Sequence, residues 1–374
     1  MRAQERLRRG SVLVIVMVTL LFATAALLAF MEKASVDLLV DQREAVARRL
    51  RLEAYSALEV TLAVLHEFRE AGGGLRSTAD GWGDPLAFAG YTPADGRVVD
   101  VSFEDESGKL SLPRANHAVL TNLFIHWGLA QADAEAVADA LAGWMKHGHV
   151  YTSALRPSYD NATLPYEAPG RPIRSFAELA AIDRVRELFY DEEGRPTDLW
   201  KRFAAAVSLL DFPQPSINGA RPDTLAALGR FDPQQRQRIE EYFNGTGTYA
   251  GQGPQTFRNP ADVARVAGPG GDANSFAATI SALRVNVTVR DGRTEFRLSA
   301  VIAPPGGATT VQQTATKPVT TTAAAKATAQ EQARAAANPA AKNAAATSLR
   351  YPFTLLEIRE NDEIPPPPPP PVSP

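Results

Sequence analysis

Three carboxylates stand side by side at Glu104-Asp105-Glu106, directly before Ser107-Gly108. A run of acidic side chains entering a turn is a source of hard oxygen donors, and calcium is the ion that takes six to eight such oxygens from flexible loops. Glu104, Asp105 and Glu106 are therefore the candidate calcium ligands, set against the plainer reading of a solvated turn. Asp191-Glu192-Glu193-Gly194 repeats the pattern in a weaker form. His147-Gly148-His149 brings two imidazoles together, but no third ligand stands at a zinc-like spacing, so the pair reads as a loop. The 374-residue chain has no cysteine, which removes disulfides, thiolate metal sites and cysteine nucleophiles. It also lacks a Gly-x-Ser-x-Gly elbow, a phosphate loop and a two-histidine zinc motif. No enzyme is expected. The net charge of −3 gives no basic excess, so no nucleic-acid partner is expected either.

The elements that would carry these residues begin with a membrane-like segment. Ser11 to Met31 contains no charge and is rich in Val, Leu, Ile, Ala and Phe. About 20 such residues in a helix span a bilayer core. Arg2, Arg6, Arg8 and Arg9 precede it against a single Glu5, which places the start of the chain on the cytoplasmic side and the remainder outside. The apolar run is longer than that of a cleaved secretory signal. From Val36 to Phe68 the apolar residues fall at helical spacing through Leu39, Val46, Leu50, Ala54, Leu58, Leu62 and Leu65, with charges on the other faces. No Gly or Pro interrupts the stretch before Gly72-Gly73-Gly74. One helix of about 60 residues, roughly 90 Å long, is predicted. Its first half is apolar all round and its second half amphipathic.

Further along, Gly96 to Phe103 alternates as a strand and Leu110 to Leu112 as a second short one. Candidate helices between Pro and Gly turns are Ala115 to Leu129, Ala132 to Met145, Phe176 to Ala181, Leu199 to Leu210, Pro222 to Leu228 and Pro233 to Phe243. Strands return at Ala282 to Arg290 and Thr294 to Ile302, with Asp291-Gly292 as the hairpin signal, and at Leu349 to Ile358. Ala303 to Ser348 is dominated by Ala, Thr, Pro, Gln and Lys and cannot bury enough apolar surface to order itself. Pro365 to Pro371 reads as polyproline II.

Two sets of residues carry a family resemblance. Arg8-Arg9-Gly10-Ser11 before the apolar helix resembles the leader of type IV pilin-like precursors, which a membrane peptidase cuts after the Gly. Behind it come, in order, Asp105-Glu106-Ser107-Gly108-Lys109-Leu110-Ser111-Leu112, Ala138-Asp139-Ala140-Leu141-Ala142-Gly143-Trp144, Phe176-Ala177-Glu178-Leu179 and Ile217-Asn218 through Leu225-Ala226-Ala227-Leu228. Their order and spacing resemble the minor pseudopilin K of the type II secretion system over about residues 1 to 302. Ile15 stands at the fifth mature position, where most pilin-like proteins have Glu. Pseudopilin K is the member that lacks it, as a tip subunit with nothing above it can.

The resemblance implies an α+β fold: a long N-terminal helix on an antiparallel sheet, with a large inserted domain of small helical-hairpin, SAM-like modules. It divides the chain into a leader at 1–10, a long helix at 11–71 (transmembrane at 11–31), pilin-like strands at 72–112 and a helical insert at 113–275. C-terminal strands at 276–302 and 349–360, a disordered loop at 303–348 and a Pro-rich tail at 361–374 complete it. It implies cleavage between Gly10 and Ser11, and filament packing through Ile15, Leu20 and Leu27. The implied partners are other minor pseudopilins, the major pseudopilin, the prepilin peptidase and the bacterial inner membrane, with the C-terminal domain in the periplasm. A minor pilin of a type IV pilus or DNA-uptake system, and a single-pass anchored binding module, are the rival readings.

Overall fold

A computed structural model describes residues 2–159, 165–311 and 352–361, with the backbone alone for residues 2–13. Helix α1 runs without a break from Arg2 to Gly72, 71 residues, or roughly 105 Å at the usual rise. Its length follows from the absence of Gly and Pro between Ser11 and Ala71, up to the triple glycine, where Gly73 and Gly74 take φ of +67° and +141° that a side chain would resist. From Leu50 onward one stripe is buried: Leu50, Ala54, Ala57, Leu58, Leu62 and Leu65.

That stripe lies on a four-stranded antiparallel sheet ordered β1-β4-β5-β6, with β1 at Val98–Asp105, β4 at Leu283–Asp291, β5 at Thr294–Ala303 and β6 at Thr354–Glu360. Period-two alternation puts Leu283, Val285, Val287 and Val289 of β4 against the helix, beside Leu298, Ala300 and Ile302 of β5. Glu53 of α1 is buried within this layer and paired by Arg97 at 2.9 Å. Because Leu62 is fully enclosed, Leu62→Ala is expected to cost about 2–5 kcal/mol. Thermal unfolding measures this, and an unchanged midpoint would show that the helix does not pack on the sheet.

Between β1 and β4 the chain builds the helical insert. Helices α3 (His117–His126), α4 (Gln131–Met145), α5 (Val185–Phe189) and α6 (Asp198–Ala206) enclose one core. Phe124, Phe189 and Phe203 meet at its centre, the last two with rings 5.1 Å apart. Helices α7 (Pro222–Ala227), α8 (Pro233–Asn244) and α9 (Pro260–Ala267) enclose a second core around Phe231, Phe257 and Phe276. Each of these three helices opens with Pro in its first turn, where a missing N–H is harmless. A four-residue helix α2 (Pro85–Phe88) lies between α1 and β1.

Several expectations are corrected. The short strand β2 at Leu110–Ser111 does not join the main sheet; it pairs in parallel with β3 at Val207–Ser208. The single turn of 3-10 helix at Glu106–Gly108 deflects the chain after β1, and Leu110 and Leu112 enter the first insert core. The 72–112 segment therefore gives the main sheet one strand. The expected helix Leu199 to Leu210 ends at Ala206, since its next two residues are β3. Phe176–Ala181 is a 3-10 helix, and α2, α5 and α9 lie outside the expected helices. The hairpin turns on Gly292-Arg293, as Asp291 pairs with Thr294 and Gly292 takes the positive φ of +58°. The start of the expected disordered loop is ordered: Ala308 is buried, its N–H reaches Ser281 O at 2.8 Å, and Asp211 and Thr309 form a bridge. Backbone pairing holds this stretch despite its composition. The last strand is Thr354–Glu360 rather than Leu349 to Ile358. Residues 312–348 of the loop and 362–374 of the tail lie outside the described residues.

Candidate functional site

Two features of the sequence reading converge on surfaces of different kinds. The first is the free half of α1. Ile15, Leu20 and Leu27 are 62%, 60% and 59% exposed, and every described side chain from Val14 to Val40 is open. The most apolar window of the helix has a mean hydropathy of 2.6 and none of it is buried within the molecule. It is long and apolar enough to cross a membrane. Such a length of apolar surface requires either lipid or another protein around it. Gly10 and Ser11 lie within the helical backbone of α1.

The second is the acidic run. Along β1 successive side chains alternate faces, and Asp105 parts from Glu104 and Glu106. Asp105 turns inward: its Oδ1 accepts the Ser107 hydroxyl at 2.6 Å and the Gly108 N–H at 3.1 Å, closing the 3-10 turn. Burial pushes its carboxyl up to about 6, against hydrogen bonds that pull it down. Glu104 and Glu106 meet cations of the protein itself. The Lys109 ammonium lies 3.0 Å from Glu104 Oε1 and 2.9 Å from Glu106 Oε2. Arg284 Nε donates to Glu106 Oε1 at 2.7 Å, its Nη1 reaches Glu357 at 3.3 Å, and Arg221 pairs with Glu104. Burial pushes the Glu106 carboxyl up, but the Lys109 and Arg284 charges outweigh it and hold the group below the usual carboxylate range. Calcium therefore does not fit Glu104, Asp105 and Glu106: one carboxylate faces away and the other two are already neutralised. No group of three or more His, Asp or Glu among the described residues could hold a metal ion.

The remaining motif residues are also joints. Asp139 is fully buried on α4, and both its oxygens are in use. Oδ2 accepts the Thr152 and Ser153 N–H groups at 2.8 and 2.6 Å, and Oδ1 lies 2.9 Å from His149 Nε2. His117 Nε2 approaches the same oxygen at 3.4 Å. Burial pushes this carboxyl up, yet the hydrogen bonds from Ser153, His149 and Thr152 prevail and hold it below its ordinary value. An ionised carboxylate only accepts, so His149 carries its proton on Nε2. The expected loop reading of His147-Gly148-His149 missed this contact, which spans ten residues at no motif spacing. Glu178 gathers Arg171, the Arg174 N–H and the Trp144 indole. Trp127 donates to Asp223 at 2.8 Å and lies under Arg202. Asn218 satisfies Phe257 at both ends, donating to its O at 3.0 Å and accepting from its N at 2.7 Å. Gly108 packs so tightly on the Gly219 carbonyl that a Cβ would come within 1.9 Å. These side chains hold loops together, and their chemistry is that of a scaffold.

Residues 102–192, from the middle of β1 to just past α5, match the family described as type II secretion system protein K. The matched segment contains the Asp105–Lys109 turn, Asp139 and Glu178, three of the joints just described. Comparison with curated proteins finds no match. Among solved structures, a chain of the crystal structure of the GspK-GspI-GspJ complex from the enterotoxigenic Escherichia coli type 2 secretion system is similar. It shares 11% identity at a TM-score of 0.47, over 72% of this chain and 97% of that one.

Proposed function

We propose that this protein is a minor pseudopilin of the type II secretion system, acting as a structural assembly subunit rather than as an enzyme. The observation that carries this reading is the continuity of α1. One rigid helix has an exposed apolar half and a half clamped on the sheet, so whatever grips the apolar half moves the whole head. Before assembly the segment beginning at Ser11 lies in the inner membrane, with the head in the periplasm. On assembly Ile15, Leu20 and Leu27 exchange lipid for the helices of other pseudopilins. The partners are the other minor pseudopilins, as GspK is found with GspI and GspJ in that complex, together with the major pseudopilin. The assembled subunits form the tip or starting complex of a short filament that drives proteins across the outer membrane. Ile15 suits a tip position, since a carboxylate in lipid is costly unless a subunit above supplies its partner.

In this reading residues 1–10 are a leader removed by the prepilin peptidase. Gly10→Leu is expected to leave a full-length protein, to abolish secretion, and to leave the head folded. Mass spectrometry of the purified protein, with N-terminal sequencing in strains with and without the peptidase, measures it. A normal mature mass in the variant, or an intact leader on the wild-type protein, overturns the pseudopilin reading in favour of a plain membrane anchor. A deletion that impairs DNA uptake and spares secretion would favour the type IV pilus alternative.

A further inference from the structure

The acidic run is poorly arranged for calcium and well arranged for something else. Glu104 and Glu106 direct their carboxylates at a single point, and the Lys109 ammonium occupies it, 3.0 and 2.9 Å from one oxygen of each. The Lys109 and Glu106 side chains are only 9% and 5% exposed. Arg221 closes the group from the α7 end of the insert, and Arg284 closes it from β4. These charges lie where the chain leaves the sheet for the insert, at the Glu106–Gly108 turn. They also lie where it returns, with Ser107 N–H on Ala282 O at 3.1 Å and Ser281 N–H on the Ser107 hydroxyl at 3.0 Å.

We propose that Lys109, backed by Arg221 and Arg284, is a built-in cation that takes the place of a divalent ion between Glu104 and Glu106 and fixes the helical insert to the sheet without calcium. The charge count supports this: Lys109, Arg221, Arg284 and Arg359 face Glu104, Glu106 and Glu357, so every carboxylate is matched by a cation of the protein with no ion added. An ammonium on a four-carbon stem is a compact point charge with three donors, able to bridge two carboxylates as a metal would. A buried cluster of this kind is costly to break, because a lost partner leaves a charge uncompensated.

The test uses the full-length protein in detergent, with calcium chloride or a chelator as the probe. The unfolding midpoint of the wild type is expected to be the same in millimolar calcium and in chelator. A ligand held at about 100 times its dissociation constant would raise it by several degrees. Lys109→Met is expected to lower the midpoint by several degrees, and millimolar calcium is expected to restore part of that loss by entering the vacated position. Glu106→Gln combined with Lys109→Met, which removes both charges, is expected to be more stable than Lys109→Met alone and indifferent to calcium. A calcium-dependent rise in the wild-type midpoint that Glu106→Gln abolishes would overturn the proposal. So would a Lys109→Met protein with the wild-type midpoint. Calcium titration calorimetry on the wild type keeps the proposal open to refutation if the variants fail to fold, since heat from a stoichiometric calcium site that Glu106→Gln removes would refute it as well.

Discussion

Asp139→Ala is expected to destabilise the helical insert by about 3–5 kcal/mol, the range for removing one partner of a buried charged group. Asp139 has no exposed surface, and its carboxylate is the common acceptor for the 149–153 loop: two backbone N–H groups, the Thr152 hydroxyl at 3.0 Å and the His149 ring. Alanine leaves the Thr152 and Ser153 N–H groups without their acceptor. The orphaned donor of buried Ser153 alone costs about 1–3 kcal/mol, and the lost Thr152 and His149 contacts add to it. Hydrogen exchange locates the effect. The Thr152 and Ser153 amides and the adjoining core around Phe203 are expected to lose protection first, while the β4–β5 ladder keeps it. Uniform loss of protection over insert and sheet would show that the two are one cooperative unit and that Asp139 is not a local tie. Wild-type protection at Thr152 and Ser153 in the variant would remove the carboxylate from its assigned role.

Asp105→Asn is expected to act in the opposite direction, stabilising the protein by about 3 kcal/mol above pH 6, given about 1.36 kcal/mol per unit of pKa displacement. The folded carboxyl titrates at about 6, above the ordinary value of 3.8 taken for the unfolded chain. Between those two values the native state holds a proton that the unfolded state has released. Stability therefore falls as pH rises through this window and levels off beyond it. Below pH 4 both states are protonated, and the native state bears no cost from this group. Asparagine keeps an oxygen to accept Ser107 and Gly108 and never ionises. The difference between variant and wild type should be near zero at pH 4, grow across pH 4 to 6, and stay constant above. Urea unfolding from pH 4 to 8 measures it; two parallel curves would mean that burial does not raise the Asp105 carboxyl above its unfolded value.

Much of the architecture is legible in the sequence because it rests on local periodicity. The uncharged stretch from Ser11, the helical stripe from Leu50 to Leu65 and the triple glycine specify α1 as one rod with two environments. Strict alternation in β4 and a Gly at the loop specify the hairpin. The paired helical modules followed from Pro-initiated apolar segments. The short elements were harder to read. Two residues, Leu110 and Ser111, carry no information about a partner 97 positions away at Val207 and Ser208. Helices such as α5 have too few turns for a periodic signal.

What the sequence determined by itself is the division of labour: an apolar rod to be embedded, an amphipathic continuation to carry a sheet, and a helical insert interrupting that sheet. What tertiary structure alone decided is the fate of the charges. Glu104, Asp105 and Glu106 read as one acidic cluster along the chain, yet strand geometry turns the middle carboxyl inward, and Arg221 and Arg284 arrive from 117 and 178 residues away to meet the others. Apolar burial leaves its period in the neighbouring residues, because each must face the same core. An ion pair leaves none, because its partner need only be close in space.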